Sequence, residues 1–290
     1  LRRSNIELLV ELFKSVGIVA RLDRRDALRM AEKMSEYLLS KGLAVVLESN
    51  LASILRGEAD SATLSRMMTD FIVVIGGDGT ILKTCLLIPR PETPILSINM
   101  GRRGFLAEVS PKNAISSVDR CIVGDYVLEK CLKLSPSIGG QALPDALNEV
   151  LMTSSYRSKV LGFEVFKDHA SILRCYSDGV MVSTPTGSTA HSLSAGGPVL
   201  DPDTEAFALT PICPLTPARP IVLPSDSVIQ VEPIKPKLHV QVFVDGQYQT
   251  KIGKKDTLTI KRSDHYASFI RFGQDFYARL KNRLLFTVGR

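Results

Sequence analysis

Tryptophan is absent from the 290 residues, aromatic side chains make up only 6% of them, and histidine occurs four times. Those four (His169, His191, His239 and His265) show no metal-ligand spacing, which sets aside a histidine-built zinc site. The five cysteines (Cys85, Cys121, Cys131, Cys175 and Cys213) are scattered, and no two of them form Cys-x-x-Cys. Zinc-ribbon and dithiol redox chemistry therefore drop out, and reduced, mostly buried thiols are expected. No uninterrupted apolar run approaches the roughly 18 residues that a membrane span needs. The first residues alternate charged and apolar positions, unlike a signal peptide, so a soluble, cytoplasmic protein is expected.

Three catalytic signatures are missing as well. There is no Gly-x-Ser-x-Gly elbow, so Ser188, His191 and Asp178 do not read as a hydrolase despite their proximity in sequence. No P-loop run occurs, and the Rossmann fingerprint fails because its third glycine would fall at Leu82. A net charge of +6 suits phosphorylated partners. Its basic residues, however, are interleaved with acids (Arg21, Asp23, Arg24, Arg25, Asp26) and lack an aromatic platform, so no nucleic-acid partner is expected.

What is present centres on Phe71-Ile72-Val73-Val74-Ile75-Gly76-Gly77-Asp78-Gly79-Thr80. The apolar run reads as a buried strand, and a helical pattern begins at Thr80. The glycine turn thus lies at the carboxyl end of a strand, where open α/β sheets bind ligands. Gly76, Gly77, Gly79 and Thr80 leave room for phosphate beside the first amides of the next helix. Asp78 is the one carboxylate there, and it would repel phosphate unless it binds a metal or accepts a proton. The alternative is a tight turn with Asp78 as a helix N-cap.

Hydrophobic residues make up 44% of the chain, enough for a real core, and the length allows two domains. Periodicity predicts helices over 1–15, 24–41 and 81–88, a weak one over 60–68, and strands over 16–20, 43–47 and 95–98. Asn99-Met100-Gly101-Arg102-Arg103-Gly104-Phe105 forms a second candidate ligand loop, whose Phe105 either stacks on a base or packs beneath the loop. Strands alternating with helices indicate an open, mostly parallel α/β domain. Beyond Gly124 strand-like runs dominate (160–166, 171–176, 180–183, 228–233, 239–244 and 257–260), predicting a β-rich second domain. The proline-rich stretch 202–224 reads as an ordered loop, and 276–286 as a helix.

Three polar features mark the second domain. Asn148-Glu149 offers an amide and a carboxylate that could fork onto a ribose diol, or a solvated turn. Asp178-Gly179 precedes a strand and then Thr184-Pro185-Thr186-Gly187-Ser188-Thr189-Ala190-His191, a cradle dense in hydroxyls that packing alone does not explain. Asp245-Gly246-Gln247 reads as a hairpin turn.

Taken in order, Gly76-Gly77-Asp78-Gly79-Thr80, Asn99-x-Gly101-x-x-Gly104-Phe105, Asn148-Glu149, Asp178-Gly179, Thr184 to Ala190 and Asp245-Gly246 resemble the motif series of NAD kinases, archaeal and bacterial members above all. The glycine–aspartate turn is shared with lipid kinases and phosphofructokinases; the Thr-Pro-Thr-Gly-Ser-Thr-Ala run ending in Gly-Gly-Pro is specific to NAD kinases. The resemblance covers about residues 16–286. It implies phosphoryl transfer from ATP or polyphosphate to the 2′-hydroxyl of the adenosine ribose of NAD, with a divalent metal such as Mg²⁺ and a homodimer or homotetramer. It further implies Asp78 as the base, and Asn148 and Glu149 on the ribose. Asp178, Thr189 and Ala190 would take the dinucleotide's polar edges, Phe105 a ring, and Ser194 and Asp245 the pocket wall. Residues 1–123, with 274–290 returning to them, would form the donor and catalytic domain, and 124–273 the dinucleotide domain. Departures are His191, where the family usually has tyrosine, Leu215, often histidine, and a 213–219 stretch one residue short. A lipid kinase would share Asp78 but not Thr184 to Pro198, and an NAD-binding regulator would not need the base.

Overall fold

A computed structural model describes residues 13–101, 104–155, 160–234, 240–253, 256–273 and 276–281. The chain divides into two compact units: residues 1–81, 88–129 and 269–275 form the first, and 82–87, 130–268 and 276–290 the second.

In the first unit β1 (Ser15–Ala20), α1 (Arg25–Ser40), β2 (Ala44–Glu48), α2 (Ser49–Leu55) and β3 (Asp60–Ala62) alternate. They lead to β4 (Phe71–Gly76), the helix α3 (Asp78–Leu87) that crosses into the second unit, β5 (Ile95–Asn99) and α4 (Ala114–Ile122). The strands pair in parallel in the order β5-β4-β1-β2-β3. β4 is paired on both sides, with β5 and β1, and all six of its residues are buried, which is why it reads as a continuous apolar run. Ala27, Ala31, Met34 and Leu38 form the core-facing stripe of α1, and Gly42, at φ +80°, turns the chain out of the helix.

The second unit is antiparallel. β6 (Val127–Ile138) enters it and is followed by β7 (Gln141–Ala142), β8 (Glu149–Ser154), β9 (Leu161–Lys167), β10 (Ala170–Ser177) and β11 (Gly179–Ser183). Next come the short helix α5 (His191–Ser194), then β12 (Ala206–Ile212), β13 (Ile221–Pro224), β14 (Ile229–Pro233), β15 (Val240–Val244) and β16 (Tyr248–Ile252). β17 (Leu258–Arg271) and α6 (Phe276–Leu280) end the described chain. One sheet has the order β13-β12-β11-β8-β15-β16, and β10-β9-β14-β17 pair in another. Their apolar faces share a core that includes Phe163, Phe207, Val150, Met152 and Val242. The last three residues of β17 belong to the first unit, where Phe269 pairs in parallel with Ile95.

The expected α/β class with a β-rich second domain is what the chain adopts. Some local expectations are corrected. Residues 60–68 are not helical: Asp60 to Ala62 add a parallel edge to β2, and a 3-10 turn, Leu64–Arg66, follows. α2 was not anticipated, although Glu48 caps it by accepting from the amides of Asn50 and Leu51. Stretch 202–224 contains two strands rather than a loop. Pro211 is tolerated in β12 because β13 pairs only with residues 206–209, so at Pro211 a neighbour lies on one side alone. The run at 257–260 is only the start of the 14-residue β17. Of the helix expected over 1–15, residues 1–12 lie outside the described residues and Ser15 already belongs to β1. Of that expected over 276–286, residues 282–286 likewise lie outside.

Candidate active site

Gly76 closes β4 and Asp78 opens α3, so two residues turn a buried strand into a helix. A Cβ on Gly76 would fall 2.5 Å from Thr80 Oγ1, so the strand end and the helix's first turn approach too closely for a side chain. Gly77 and Gly79 differ: a Cβ on either would meet nothing within 4 Å. Among the described residues, nothing therefore packs on these two positions of the turn.

Asp78 does not cap its helix. Its Oδ2 accepts from the Phe105 amide at 2.8 Å and its Oδ1 from the Leu106 amide at 3.2 Å. The second candidate loop thus holds the carboxylate of the first. Gly104 makes this approach possible, since a Cβ there would lie 3.0 Å from Asp78 Oδ1. Asn99 accepts from the Gly101 amide at 2.9 Å, shaping the start of the loop. Phe105 is half-buried. Two amide donors do not exhaust a carboxylate, which accepts at about four positions.

In the second unit Asp245 organises a second cluster. It sits in the β15–β16 turn at φ +50°, followed by Gly246 at +63°. Its buried carboxylate accepts from the amides of Leu147 (2.7 Å), Asn148 (2.7 Å) and Glu149 (3.0 Å), while its own amide donates to the Glu149 carbonyl at 3.0 Å. The turn expected from the sequence is there, and its aspartate also grips the strand beside it. Thr184 secures the same segment, its amide donating to the Asn148 carbonyl and its hydroxyl to that of Leu147. Gly187 packs against it so tightly that a Cβ would come within 2.0 Å of the Asn148 carbonyl oxygen.

The side chains on this clamped backbone are left wanting. Asn148 Oδ1 and Glu149 Oε2 are buried and make no hydrogen bond among the described residues. Such atoms are costly unless a ligand completes them. Burial, and then the charge of Asp245, push the Glu149 carboxyl up to about 7. Burial also raises Asp245, while the three amides and the Lys133 ammonium pull it back down. Lys133, itself buried, lies on β6, and nothing in the sequence sets it apart from the chain's other cations.

The hydroxyl-rich run satisfies much of its own hydrogen bonding. Ser188 donates to the Pro185 carbonyl and accepts from the Leu200 amide, Thr189 donates to the Thr186 carbonyl, and Ser192 pairs with Thr210. These hydroxyls knit their own turn together. Asp178, His191 and Ser194 are exposed and Ala190 is half-buried, so the run's accessible positions lie at its edges. Among the described residues no group of three or more His, Cys, Asp or Glu side chains could hold a metal ion. Mg²⁺, however, is commonly bound by one or two carboxylates together with substrate phosphates, and the spare acceptor positions of Asp78 fit that mode.

The first unit thus carries a glycine turn with one gripped carboxylate, and the second a clamped amide–carboxylate pair. Residues 16–126 match the family model described as the ATP-NAD kinase N-terminal domain, and residues 147–272 that of the ATP-NAD kinase C-terminal domain. An NAD kinase of Methanothermobacter thermautotrophicus is 39% identical over 272 residues, covering 93% of this chain and 96% of that protein. An NAD kinase of Thermococcus gammatolerans is also 39% identical over 272 residues, covering 92% and 98%. The crystal structure of an Archaeoglobus fulgidus NAD kinase in complex with ATP aligns with a TM-score of 0.73 at 27% identity, covering 92% of this chain and 96% of that one. That of yeast NADH kinase complexed with NADH gives 0.86 at 22% identity, covering 97% and 90%, a likeness of fold. The chain belongs to the NAD kinase family, whose reaction is the phosphorylation of NAD. No helix among the described residues is long and apolar enough to cross a membrane.

Proposed function

We propose that this chain transfers the terminal phosphoryl group of ATP to the 2′-hydroxyl of the adenosine ribose of NAD, giving NADP and ADP. The observation that carries it is the orphaned pair, Asn148 Oδ1 and Glu149 Oε2, buried on a backbone that Asp245 and Thr184 hold still. A vicinal diol donates hydroxyl hydrogens to such acceptors and relieves their desolvation. Asp78 is the base: as the ribose oxygen forms its bond to phosphorus and the bond to ADP breaks, the hydroxyl proton passes to the Asp78 carboxylate. Gly77 and Gly79 leave the space in which phosphate oxygens meet backbone amides. Mg²⁺, when bound, would supply neutralisation of the phosphate charge, held chiefly through the substrate phosphates.

In this reading the first unit handles donor and chemistry, and the second the dinucleotide, with Asp178, Thr189, Ala190, His191, Ser194 and Phe105 around it. Asp245 works from behind, through the amides it binds. Family membership supports the Mg²⁺ requirement, polyphosphate as an alternative donor, a homodimer or homotetramer, and a cytoplasmic location.

The test is NADP formation from NAD, ATP and Mg²⁺ by wild type and Asp78→Asn. Loss of general-base catalysis costs about 10²- to 10⁴-fold in kcat, with NAD binding retained. Undiminished turnover in the variant would remove Asp78 from this role. NAD binding without turnover in wild type would instead indicate a regulator, and phosphorylation of a lipid a different kinase.

A further inference from the structure

The loop that holds Asp78 is itself held by an ion cluster buried in the first unit. Arg271, at the end of β17, is 6% exposed. Its Nη1 donates to the Leu106 carbonyl at 2.9 Å and to Glu108 Oε2 at 3.3 Å, and its Nε to Glu129 Oε2 at 2.5 Å. Glu108, 5% exposed, also accepts from the Phe272 amide through Oε1. Ser97 of β5 adds a second donor to the Leu106 carbonyl, and its hydroxyl accepts from the Glu108 amide at 3.0 Å.

Leu106 is therefore gripped at both ends. Its amide points to Asp78 Oδ1, and its carbonyl points to the guanidinium. The Phe105 amide, one residue back, carries the shorter contact to Asp78. A buried ion pair is not an efficient way to stabilise a fold, since desolvation offsets much of the attraction. A planar, always-charged fork is well suited to fixing one backbone segment in one place.

We propose that Arg271, with Glu108 and Glu129, is a positioning residue for phosphoryl transfer: it sets the loop amides that orient the Asp78 carboxylate toward the acceptor hydroxyl. The inference rests on Asp78 as the base. Arg271 is buried among Leu106, Glu108 and Glu129 and acts through the Leu106 carbonyl. Nothing local in the sequence signals the link, because Arg271 lies 165 residues from the carbonyl it binds.

The experiment is a double-mutant cycle on the full chain. NADP formation under single-turnover conditions is measured for wild type, Arg271→Lys, Asp78→Asn and the double variant. Lysine keeps the charge beside Glu108 but loses the fork. Misplacing a reacting group by about 1 Å costs on the order of 10²-fold, so Arg271→Lys should lower the rate by up to that factor in the Asp78 background. It should leave the residual rate of Asp78→Asn unchanged. A structural role alone would lower both rates by the same factor, and that result, or an unchanged rate in Arg271→Lys, overturns the proposal. If Asp78→Asn keeps wild-type turnover, the base assignment fails instead, an outcome separate from both. Should Arg271→Lys not fold, Glu129→Gln enters the same cycle. Its carboxylate is the more exposed partner, with 24% side-chain accessibility, and its loss leaves the Arg271–Glu108 pair in place.

Discussion

Glu149→Gln should flatten the dependence of stability on pH. The Glu149 carboxyl titrates near 7 in the folded protein, against 4.5 ordinarily, because it is buried and because Asp245 adds a second negative charge. Lys133 faces the same cluster and moderates Asp245. Between the two values the folded chain holds the Glu149 proton and the unfolded chain does not. Raising the pH through that window therefore destabilises the fold, with the full effect reached above the folded value. Each pH unit is worth about 1.4 kcal/mol, so from about pH 5.5 to about pH 8 this group should remove about 2 kcal/mol. Glutamine keeps the size and cannot ionise, so that contribution disappears while others are shared. The assay is urea denaturation of the ligand-free protein across that range, comparing the slope of unfolding free energy against pH rather than absolute stabilities. Absolute values are less informative, because the glutamine amide introduces its own unmet hydrogen bonds. Equal slopes in the two proteins would refute the reasoning, showing that Glu149 already ionises at its ordinary value.

Two glycines give sharper contrasts. Gly187→Ala would drive a Cβ to 2.0 Å from the Asn148 carbonyl oxygen and 2.7 Å from its Cα. Backbone cannot yield as a side-chain tip does, so a loss of about 3 kcal/mol is expected, visible as a lower midpoint in thermal denaturation. Gly104→Ala places its Cβ 3.0 Å from Asp78 Oδ1. That contact needs a shift of only a few tenths of an ångström, so stability should change by less than about 1 kcal/mol while turnover falls by about tenfold.

Strand β4, helix α1 and the glycine turn were legible because each is written in consecutive residues: a β-branched run, a stripe at three and four, a glycine cluster. β3 and β12 were not, because pairing partners decide them. Asp60 is strand because Val46 lies beside it, and Pro211 is tolerated because, among the described residues, β13 pairs β12 only over 206–209. The same division runs through the site. Asn148, Glu149 and Asp245 could be named singly, yet their clamp joins residues 97 apart. The contact of Phe105 and Leu106 with Asp78, and that of Arg271 with Leu106, exist only in three dimensions. The hydroxyl run also carries more than its composition tells. Its composition suggested ligand contacts, whereas several of its oxygens face their own chain.

That inward wiring has an evolutionary corollary. Thr184, Ser188 and Thr189 each close the turn through a bond to its own backbone, so replacing one costs a scaffold contact as well as any contact to a ligand. Preferences among cofactors, oxidised against reduced or one donor against another, would have to be tuned at accessible neighbours such as Thr186, His191 and Ser194. Those are the positions at which to randomise the protein when a new taste is wanted.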